Sequence, residues 1–160
     1  MLKNQFQSFI LLALVAFSFS AHSSMTVGRV VGVSDGDTIT VLTKGNERLR
    51  VRLAEIDAPE SSQAFGAKSK QALSEVCFGK EATISTANKD QYGRIVSRVV
   101  CSGVDAQQHM VGNGLAWVYA RYATDKELLS LEPIVRASRI GLWSDPQPVP
   151  PWEFRRSKRQ

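Results

Sequence analysis

The chain has 160 residues, of which 43% are hydrophobic and 22% are charged, and this length is enough for one domain with its own core. The two cysteines and two histidines do not have the spacing of zinc-finger ligands, and two histidines are too few for a histidine-based metal centre. The formal net charge of +5 equals the contribution of five bases near the chain ends, Lys3, Arg155, Arg156, Lys158 and Arg159. Since the rest of the chain is balanced in charge, composition alone does not indicate nucleic-acid binding; the basic tail suits either a polyanionic partner or plain solvation.

Residues 1–23 have the three zones of a secretory signal peptide. Lys3 precedes an apolar stretch, Phe9 to Phe19, which small residues follow. This stretch is shorter than the roughly 20 apolar residues that span a bilayer, although a retained membrane anchor is the alternative. The residues after which cleavage is expected are Ser20, Ala21 and Ser23. We therefore expect an exported, periplasmic or extracellular protein of roughly 137–140 residues, monomeric and without stable membrane association once processed.

The segment from Thr26 to Ala54 predicts three strands joined by two tight turns. Asp35-Gly36-Asp37 and Lys44-Gly45-Asn46 are the turn signals. In the third strand three arginines alternate with three apolar residues, so that one face enters a core and the other carries guanidiniums. The arginines are Arg48, Arg50 and Arg52, and the apolar residues are Leu49, Val51 and Leu53.

The rest of the chain predicts two further strands and three helices. The helices are expected at Ala64–Cys77, Asp105–Val111 and about Asp125–Ser138, where Pro133 is either a kink or a start, and the strands at Glu81–Ala87 and Arg94–Cys101. This order is that of an α+β fold, a five-stranded OB-fold β-barrel with about three α-helices. The domain is expected over residues 24–145, ending near Trp143, and residues 146–160 form a proline-rich, extended and then basic tail.

Cys77 and Cys101 remain after processing. In an exported protein an even number of cysteines favours a disulfide. Such a bridge closes a loop of about 25 residues and contributes on the order of 3 kcal/mol. Two buried thiols are the alternative.

Four acids stand near the predicted turn and strand ends, where they can converge: Asp35, Asp37, Asp57 and Glu60. Hard divalent cations bind carboxylate and carbonyl oxygens, and calcium tolerates an irregular cage with bound waters. The local alternative is that Asp-Gly-Asp makes only a turn and that Asp-Ala-Pro-Glu makes only a strand end or a helix cap.

Two arginines stand close to these acids in the predicted topology. Arg52 lies five residues before Asp57, and Arg94 opens the fifth strand. A guanidinium makes bidentate contacts to phosphate and keeps its charge at any relevant pH. The alternative is a solvated strand face, which is our interpretation of Arg50 and Arg98.

Three motifs in this order and spacing resemble the staphylococcal (micrococcal) nuclease family. They are Asp-Gly-Asp-Thr from Asp35, Val-Arg-Leu from Val51 followed by Asp-Ala-Pro-Glu from Asp57, and Asp-Gln-Tyr-Gly-Arg from Asp90. Gly114-Leu115-Ala116 and Gly141-Leu142-Trp143-Ser144 are further matches. The resemblance covers roughly Thr26 to Ser144. Each motif alone is weak, whereas all three together are highly specific.

The resemblance implies a role for each matched residue. Asp37 and Asp57 are expected to bind calcium through their carboxylates, and Ala58 through its backbone carbonyl. Glu60 is expected to orient or deprotonate the attacking water, while Arg52 and Arg94 clamp the phosphate. Tyr92 and Tyr122 match positions that line the nucleotide pocket, and Asp35 matches a position that orients the metal site without binding the metal.

The sequence departs from the family pattern around the nucleotide pocket. A lysine that often precedes the tyrosine of Tyr-Gly-Arg is Gln91 here, and one pocket tyrosine is Ala120. The loop after Glu60 is also much shorter than in the staphylococcal enzyme. These changes affect nucleotide preference and leave the metal and phosphate residues in place.

The resemblance thus implies a calcium-dependent, sequence-nonspecific endonuclease that hydrolyses DNA and RNA, leaves 3′-phosphate ends and prefers single strands. One alternative is a non-catalytic OB-fold module that binds oligonucleotides or proteins. Another is a structural or adhesive envelope protein stabilised by its disulfide.

Overall fold

The computed structural model describes residues 24–86 and 88–159, so the signal peptide predicted over residues 1–23 lies outside the described residues. The strands are β1 (Ser24–Val33), β2 (Thr38–Thr43), β3 (Arg48–Leu53), β4 (Ile56–Asp57), β5 (Glu81–Thr86), β6 (Asn88–Lys89), β7 (Ile95–Ser97), β8 (Val99–Cys101), β9 (Val104–Asp105) and β10 (Trp117–Val118). The helices are α1 (Gly66–Cys77), α2 (Ala106–Gly112), α3 (Lys126–Ala137) and α4 (Pro151–Ser157), with a 3-10 helix at Gly141–Ser144.

One bent strand closes the main sheet into a barrel. Strand β1 pairs antiparallel with β2 and β5, and β2 pairs antiparallel with β3. Strands β7 and β8 are two halves of the predicted fifth strand, and only Arg98 separates them. Strand β7 pairs parallel with β3, and β8 pairs antiparallel with β5. The predicted fifth strand therefore connects β3 to β5 and closes the sheet formed by β3, β2, β1 and β5. The predicted OB-fold barrel is therefore confirmed.

The break in the closing strand is stabilised by two polar side chains. Gln107 of α2 is fully buried; its amide accepts a hydrogen bond from Val99 N at 3.1 Å and donates one to Ser97 O at 2.9 Å. Arg98 forms ion pairs with Asp105 and Asp125. Burial would lower the pKa of Arg98, but these two acids raise it. Arg98 is thus a structural bridge, and its interpretation as a solvated residue is wrong.

The barrel interior follows the predicted alternation. Val51 and Leu53 of β3 are fully buried, whereas Arg48 and Arg50 on the other face are exposed. The main core cluster joins the barrel to the first three helices through residues such as Ile39, Leu73, Ile84, Met110 and Leu128. Cys77 and Cys101 form the predicted disulfide, which ties the end of α1 to the end of β8.

The predicted helices are present with small shifts in their bounds. Helix α1 begins at Gly66 and not at Ala64, and Asp125 caps α3 by accepting hydrogen bonds from the amides of Glu127 and Leu128. Pro133 lies inside α3 and does not start it. Among the described residues no helix is both long and apolar enough to cross a bilayer.

The C-terminal segment is part of the fold, which corrects the expectation that the fold ends near Trp143. Helix α4 begins at Pro151, which is buried, and Trp152 stacks on Tyr119 with ring centroids 5.2 Å apart. Gln63 holds the connecting segment by donating a hydrogen bond to Val149 O at 2.6 Å. Proline is favoured at the first position of a helix because its φ angle is preset and its missing N–H needs no partner there. The last proline of the run therefore starts a helix.

Candidate active site

A cleft of about 1040 Å³ opens beside the turn between β1 and β2. All nine residues that were predicted to form the site line it: Asp35, Asp37, Arg52, Asp57, Ala58, Glu60, Tyr92, Arg94 and Tyr122. The cleft is the common meeting point of segments that are far apart in the chain. Each segment is held there by contacts of its own.

The Asp-Gly-Asp turn is seated against α1 and the Asp-Ala-Pro-Glu segment. A Cβ atom on Gly36 would lie 2.6 Å from Ser69 Cβ and 2.7 Å from Ala58 Cβ, so only glycine permits this close approach. The approach lets Ala58 N donate a hydrogen bond to Asp37 Oδ2 at 3.0 Å. Thr38 Oγ1 donates to the other oxygen, Asp37 Oδ1, at 2.9 Å. The carboxylate of Asp37 is therefore held in one orientation.

Asp57 and Glu60 are positioned by the short two-stranded sheet and the turn that follows it. Asp57 ends β4 and pairs with Trp117 of β10, and the Asp57 side chain is only 1% exposed. Glu60 N donates a hydrogen bond to Gln63 Oε1 at 3.2 Å. The Glu60 side chain is 39% exposed. The site thus combines a buried carboxylate with one that solvent can reach.

Arg52 joins the two candidate metal ligands. Its Nη1 donates to the backbone oxygens of Leu53 and Ile56 at 3.1 and 2.9 Å. Its Nη2 donates to Asp57 Oδ1 at 2.8 Å and lies 3.3 Å from Asp37 Oδ2. Because one nitrogen reaches both acids, the two carboxylates are close together. In this conformation Arg52 faces the acids, and its predicted contact with phosphate stays a prediction.

Two acids in the cleft have raised pKa values. Burial raises the pKa of Asp57; hydrogen bonds from Arg155 oppose this shift, and the charge of Asp37 adds to it. Burial, with the charge of Asp37, raises the pKa of Asp35 to about 6. Crowded carboxylates with raised pKa values are an environment that a bound cation stabilises.

The oxygen atoms available in the cleft fit a hard cation that has few protein ligands. Asp37 and Asp57 would supply carboxylate oxygens, and Ala58, which follows Asp57 directly, would supply a carbonyl. No group of three or more acidic, histidine or cysteine side chains in residues 24–86 and 88–159 is arranged as a metal site. Calcium accepts such a site, because carbonyl oxygens, phosphate and water can complete its shell.

Arg94 approaches the cleft from the loop between β6 and β7, where Asp90 holds it. Asp90 Oδ2 accepts a hydrogen bond from Arg94 Nε at 2.8 Å, and its Oδ1 accepts from the backbone amides of Tyr92 and Arg94, each at 2.9 Å. Burial would raise the pKa of Asp90, but these hydrogen bonds lower it. The two Nη atoms of Arg94 make no hydrogen bond within the described chain, and Arg94 lines the cleft. Asp90 was not predicted as a site residue, although its position four residues before Arg94 in a turn was a signal.

The aromatic residues of the cleft divide into exposed and covered rings. Tyr92 is 64% exposed and Tyr122 is 58% exposed, as an incoming base would require. Tyr119 also lines the cleft, but Trp152 of α4 stacks on it at an interplanar angle of 8°. Trp117 is buried and contacts Trp143 and Trp152. Tyr119 and Trp117 therefore take part in packing.

Arg155 of α4 enters the cleft and was missed as a site residue. Its Nη2 donates to Asp57 Oδ2 at 2.7 Å, and its Nη1 donates to Glu60 Oε1 at 2.7 Å and to Asp57 Oδ1 at 3.2 Å. Burial would lower the pKa of Arg155, but the two acids raise it. Arg155 lies 98 residues from Asp57 along the chain. No local pattern could have indicated the contact.

The fold and the cleft define an OB-fold enzyme of the nuclease class, in which acids that suit a cation and guanidiniums that suit phosphate line one cleft. A family model described as "Staphylococcal nuclease homologue" matches residues 50–145. The chain belongs to the staphylococcal nuclease family. It is accordingly a nuclease, a hydrolase that cleaves phosphodiester bonds in nucleic acids.

Similar proteins have names that agree with this membership. An "Uncharacterized endonuclease" of Haemophilus influenzae (strain ATCC 51907 / DSM 11121 / KW20 / Rd) is 45% identical over 131 residues, which are 82% of this chain and 74% of that protein. An "Uncharacterized endonuclease" of Escherichia coli is 41% identical over 153 residues, 95% of this chain and 99% of that protein. A "Micrococcal nuclease" of Shigella flexneri is 41% identical over 143 residues, 82% of each chain.

Proposed function

We propose that the protein is a calcium-dependent, sequence-nonspecific endonuclease that cleaves DNA and RNA and leaves 3′-phosphate ends. The observation that carries this proposal is the pair of buried carboxylates, Asp37 and Asp57, which Arg52 joins in the same cleft that Glu60 and Arg94 line. Buried acids of this kind are stabilised by a hard cation, and an anchored guanidinium beside them suits a phosphate.

The protein residues have separate tasks in this proposal. When bound at Asp37 and Asp57, calcium supplies positive charge that stabilises the charge developing on the phosphoryl oxygens. Glu60, whose side chain reaches solvent, holds a water molecule and accepts its proton as the water oxygen bonds to phosphorus. The bond from phosphorus to the 5′-oxygen breaks, the 5′-oxygen takes up a proton from water, and the phosphate stays on the 3′ side.

Arg94 is the side chain best prepared to hold the reacting phosphate. Asp90 fixes its Nε, so the two Nη atoms keep a defined orientation. Fixed charges aimed at the phosphoryl oxygens stabilise the transition state more than the ground state. Arg52 adds charge from the floor of the cleft, where it also keeps Asp37 and Asp57 together.

Substrate preference follows from what the cleft exposes. Contacts to backbone phosphates carry no base information, so cleavage is expected to be indifferent to sequence. The exposed rings of Tyr92 and Tyr122 can stack on unpaired bases, which favours single strands. Faster cutting of duplex DNA than of the same DNA after denaturation would contradict this preference.

Metal dependence and product ends are tested together on plasmid DNA. Purified protein is expected to degrade plasmid with calcium and to stop when EGTA is added. Fragments are expected to be labelled by polynucleotide kinase at their 5′ ends without prior dephosphorylation, because the phosphate is on the 3′ end. Cleavage that persists in EGTA, or 5′-phosphate fragments, would refute the corresponding part of the proposal.

The catalytic assignment is tested by replacing Glu60. Glu60→Gln keeps the size of the side chain and removes its ability to accept a proton, so the cleavage rate is expected to fall about a thousandfold. The matched control is Glu47→Gln in the exposed turn between β2 and β3, which should cleave like the wild type. Normal activity of a folded Glu60→Gln protein would remove Glu60 from the mechanism.

Export to the periplasm or the cell exterior, and action as a monomer, are further parts of the proposal. The Cys77–Cys101 disulfide supports export, because disulfides persist mainly in oxidising compartments. Cell fractionation should find the protein outside the cytoplasm with a shortened N-terminus, and size-exclusion chromatography should give the mass of one chain. A cytoplasmic, unprocessed protein would contradict export.

A further inference from the structure

The Arg155 guanidinium lies between the carboxylates of Asp57 and Glu60. It reaches both oxygens of Asp57 and one oxygen of Glu60, with its shortest contacts at 2.7 Å. The Asp57 side chain is 1% exposed and that of Arg155 is 35% exposed, so Arg155 covers Asp57 on its open side. Arg52 already donates to Asp57 Oδ1 from within the protein.

A guanidinium in this position and a divalent cation exclude each other. A calcium ion would have to approach the Asp57 oxygens to about 2.3–2.6 Å, and nitrogens of Arg155 already lie 3.2 Å from Oδ1 and 2.7 Å from Oδ2. The positive charge of Arg155 would also repel a second cation at that distance. Binding of a cation to Asp57 therefore requires Arg155 to withdraw.

Helix α4 delivers this guanidinium as a tethered group. Trp152 stacks on Tyr119, Gln63 holds the segment before the helix, and Lys158 Nζ donates a hydrogen bond to Ser62 Oγ at 2.9 Å. A group anchored on both sides within the same chain is present at a high effective concentration. It therefore competes for the acids far better than a free guanidinium in solution does.

We infer that Arg155 is a built-in competitor of the metal ion, which occupies Asp57 and Glu60 until a divalent cation displaces it. This inference rests on the proposed calcium site. The cation and the α4 guanidinium alternate at the same carboxylates, so Arg155 sets the calcium concentration at which the enzyme becomes active. Displacement also frees Glu60 Oε1 from Arg155, and that oxygen is then available to accept a proton from water.

The test is the affinity of the protein for Ca²⁺ alone, measured by calorimetric titration without nucleic acid. Arg155→Ala keeps a good helix former in α4 and removes the competitor, so the Kd for calcium is expected to fall about tenfold. This change corresponds to the loss of about one charge-assisted hydrogen bond. The rise in unfolding temperature at a fixed calcium concentration should also be larger than in the wild type.

Two further variants separate direct competition from a general charge effect. Arg156→Ala removes the same charge from the exposed neighbouring position on α4, and its calcium Kd should stay within about twofold of the wild type, because exposed charges are strongly screened. Arg155→Lys keeps the charge but cannot make the same bidentate contact, so its Kd should lie between those of the wild type and Arg155→Ala. It also provides the test if Arg155→Ala fails to fold.

The outcomes distinguish this inference from the proposed function. Equal calcium affinity in the wild type, Arg155→Ala and Arg156→Ala would overturn the competition and leave the calcium site standing. Equal tightening in Arg155→Ala and Arg156→Ala would overturn it in favour of a general charge effect. Weaker calcium binding in Arg155→Ala would show that Arg155 supports the site and would overturn the inference as well. No calcium binding in any variant would overturn both the inference and the calcium dependence of the proposed function.

Discussion

At the scale of single residues, the cleft is built from side chains that hold other side chains. Arg52 forms ion pairs with both Asp37 and Asp57, and Asp90 fixes the orientation of the Arg94 side chain. A group held in place loses little entropy when it meets the transition state, which is why positioning contributes to the rate. Asp90 touches neither the candidate metal ligands nor Glu60 in the described chain, so any effect of Asp90 on activity is expected to pass through Arg94.

Replacing Asp90 tests this positioning role. An asparagine at this position would keep an oxygen for the backbone amides of Tyr92 and Arg94, but the contact with Arg94 Nε would lose its charge. Asp90→Asn is therefore expected to lower the cleavage rate about tenfold, and to have almost no further effect in an Arg94→Ala background. Additive losses in the double variant, measured as kcat/KM, would show that Asp90 acts independently of Arg94.

Asp90→Asn is also expected to lower the free energy of unfolding, by an amount that depends on pH. The pKa of Asp90 is lowered from its ordinary value of 3.8, so its contribution to stability is present above that pH and is lost as the pH falls through the pKa of the folded protein. Asp90→Asn should lower the free energy of unfolding by at most about 1 kcal/mol at pH 7, because solvent screens the pair. Urea titrations should find a smaller difference below pH 3.8; a difference that grows on acidification would contradict the assignment.

At the scale of elements, helices α1 and α4 are fastened to the barrel by different kinds of contact. The disulfide joins the last residue of α1 to the last residue of β8, at a sequence separation of 24. Helix α4 is fastened by the stacking of Trp152 on Tyr119. The disulfide acts mainly by restricting the unfolded chain, whereas the stacked rings act in the folded state.

The disulfide has a measurable effect on stability. A Cys77→Ala and Cys101→Ala double variant is expected to lose about 3 kcal/mol of unfolding free energy, as the loop-closure entropy for this spacing indicates. Urea titration of both proteins measures the difference. A reducing agent should destabilise the wild type and leave the double variant unchanged; equal sensitivity of the two proteins would contradict the role assigned to the bridge.

At the scale of the whole molecule, one bent strand closes the barrel. Its first half pairs with β3, which carries Arg52, and its second half pairs with β5. At the bend, the buried amide of Gln107 accepts a hydrogen bond from Val99 N and donates one to Ser97 O. Barrel closure therefore depends on a polar side chain from α2.

Removing the Gln107 amide should weaken the whole barrel. Gln107→Leu keeps the approximate volume of the side chain but leaves the buried N–H of Val99 without this partner, and the Ser97 carbonyl keeps its bond from Ala54 N. An unpaired buried N–H is costly, so the expected loss is about 1–3 kcal/mol of unfolding free energy, measured by urea titration. Gln108→Leu is the matched control, because Gln108 is adjacent and its side chain bonds the exposed Glu127; equal losses in the two variants would contradict this account.

The sequence alone determined the barrel strands, three of the helices and the nine predicted residues that line the cleft. Alternation of arginines with Leu49, Val51 and Leu53 is a local property, since side chains point to opposite faces of a strand. Glycine turns are local as well. The Asp-Gly-Asp, Asp-Ala-Pro-Glu and Tyr-Gly-Arg motifs therefore indicated the acids and guanidiniums of the site.

Only the tertiary structure decided which groups touch across the cleft. Arg155 meets Asp57 across 98 positions of sequence, Gln63 meets Val149, and Trp152 meets Tyr119. A basic segment after a proline run has the composition of a solvated tail, and its own periodicity cannot show which surface it packs against. Packing free energy comes from surfaces that meet only after the barrel has closed, so the place of Arg155 in the cleft could be found only in three dimensions.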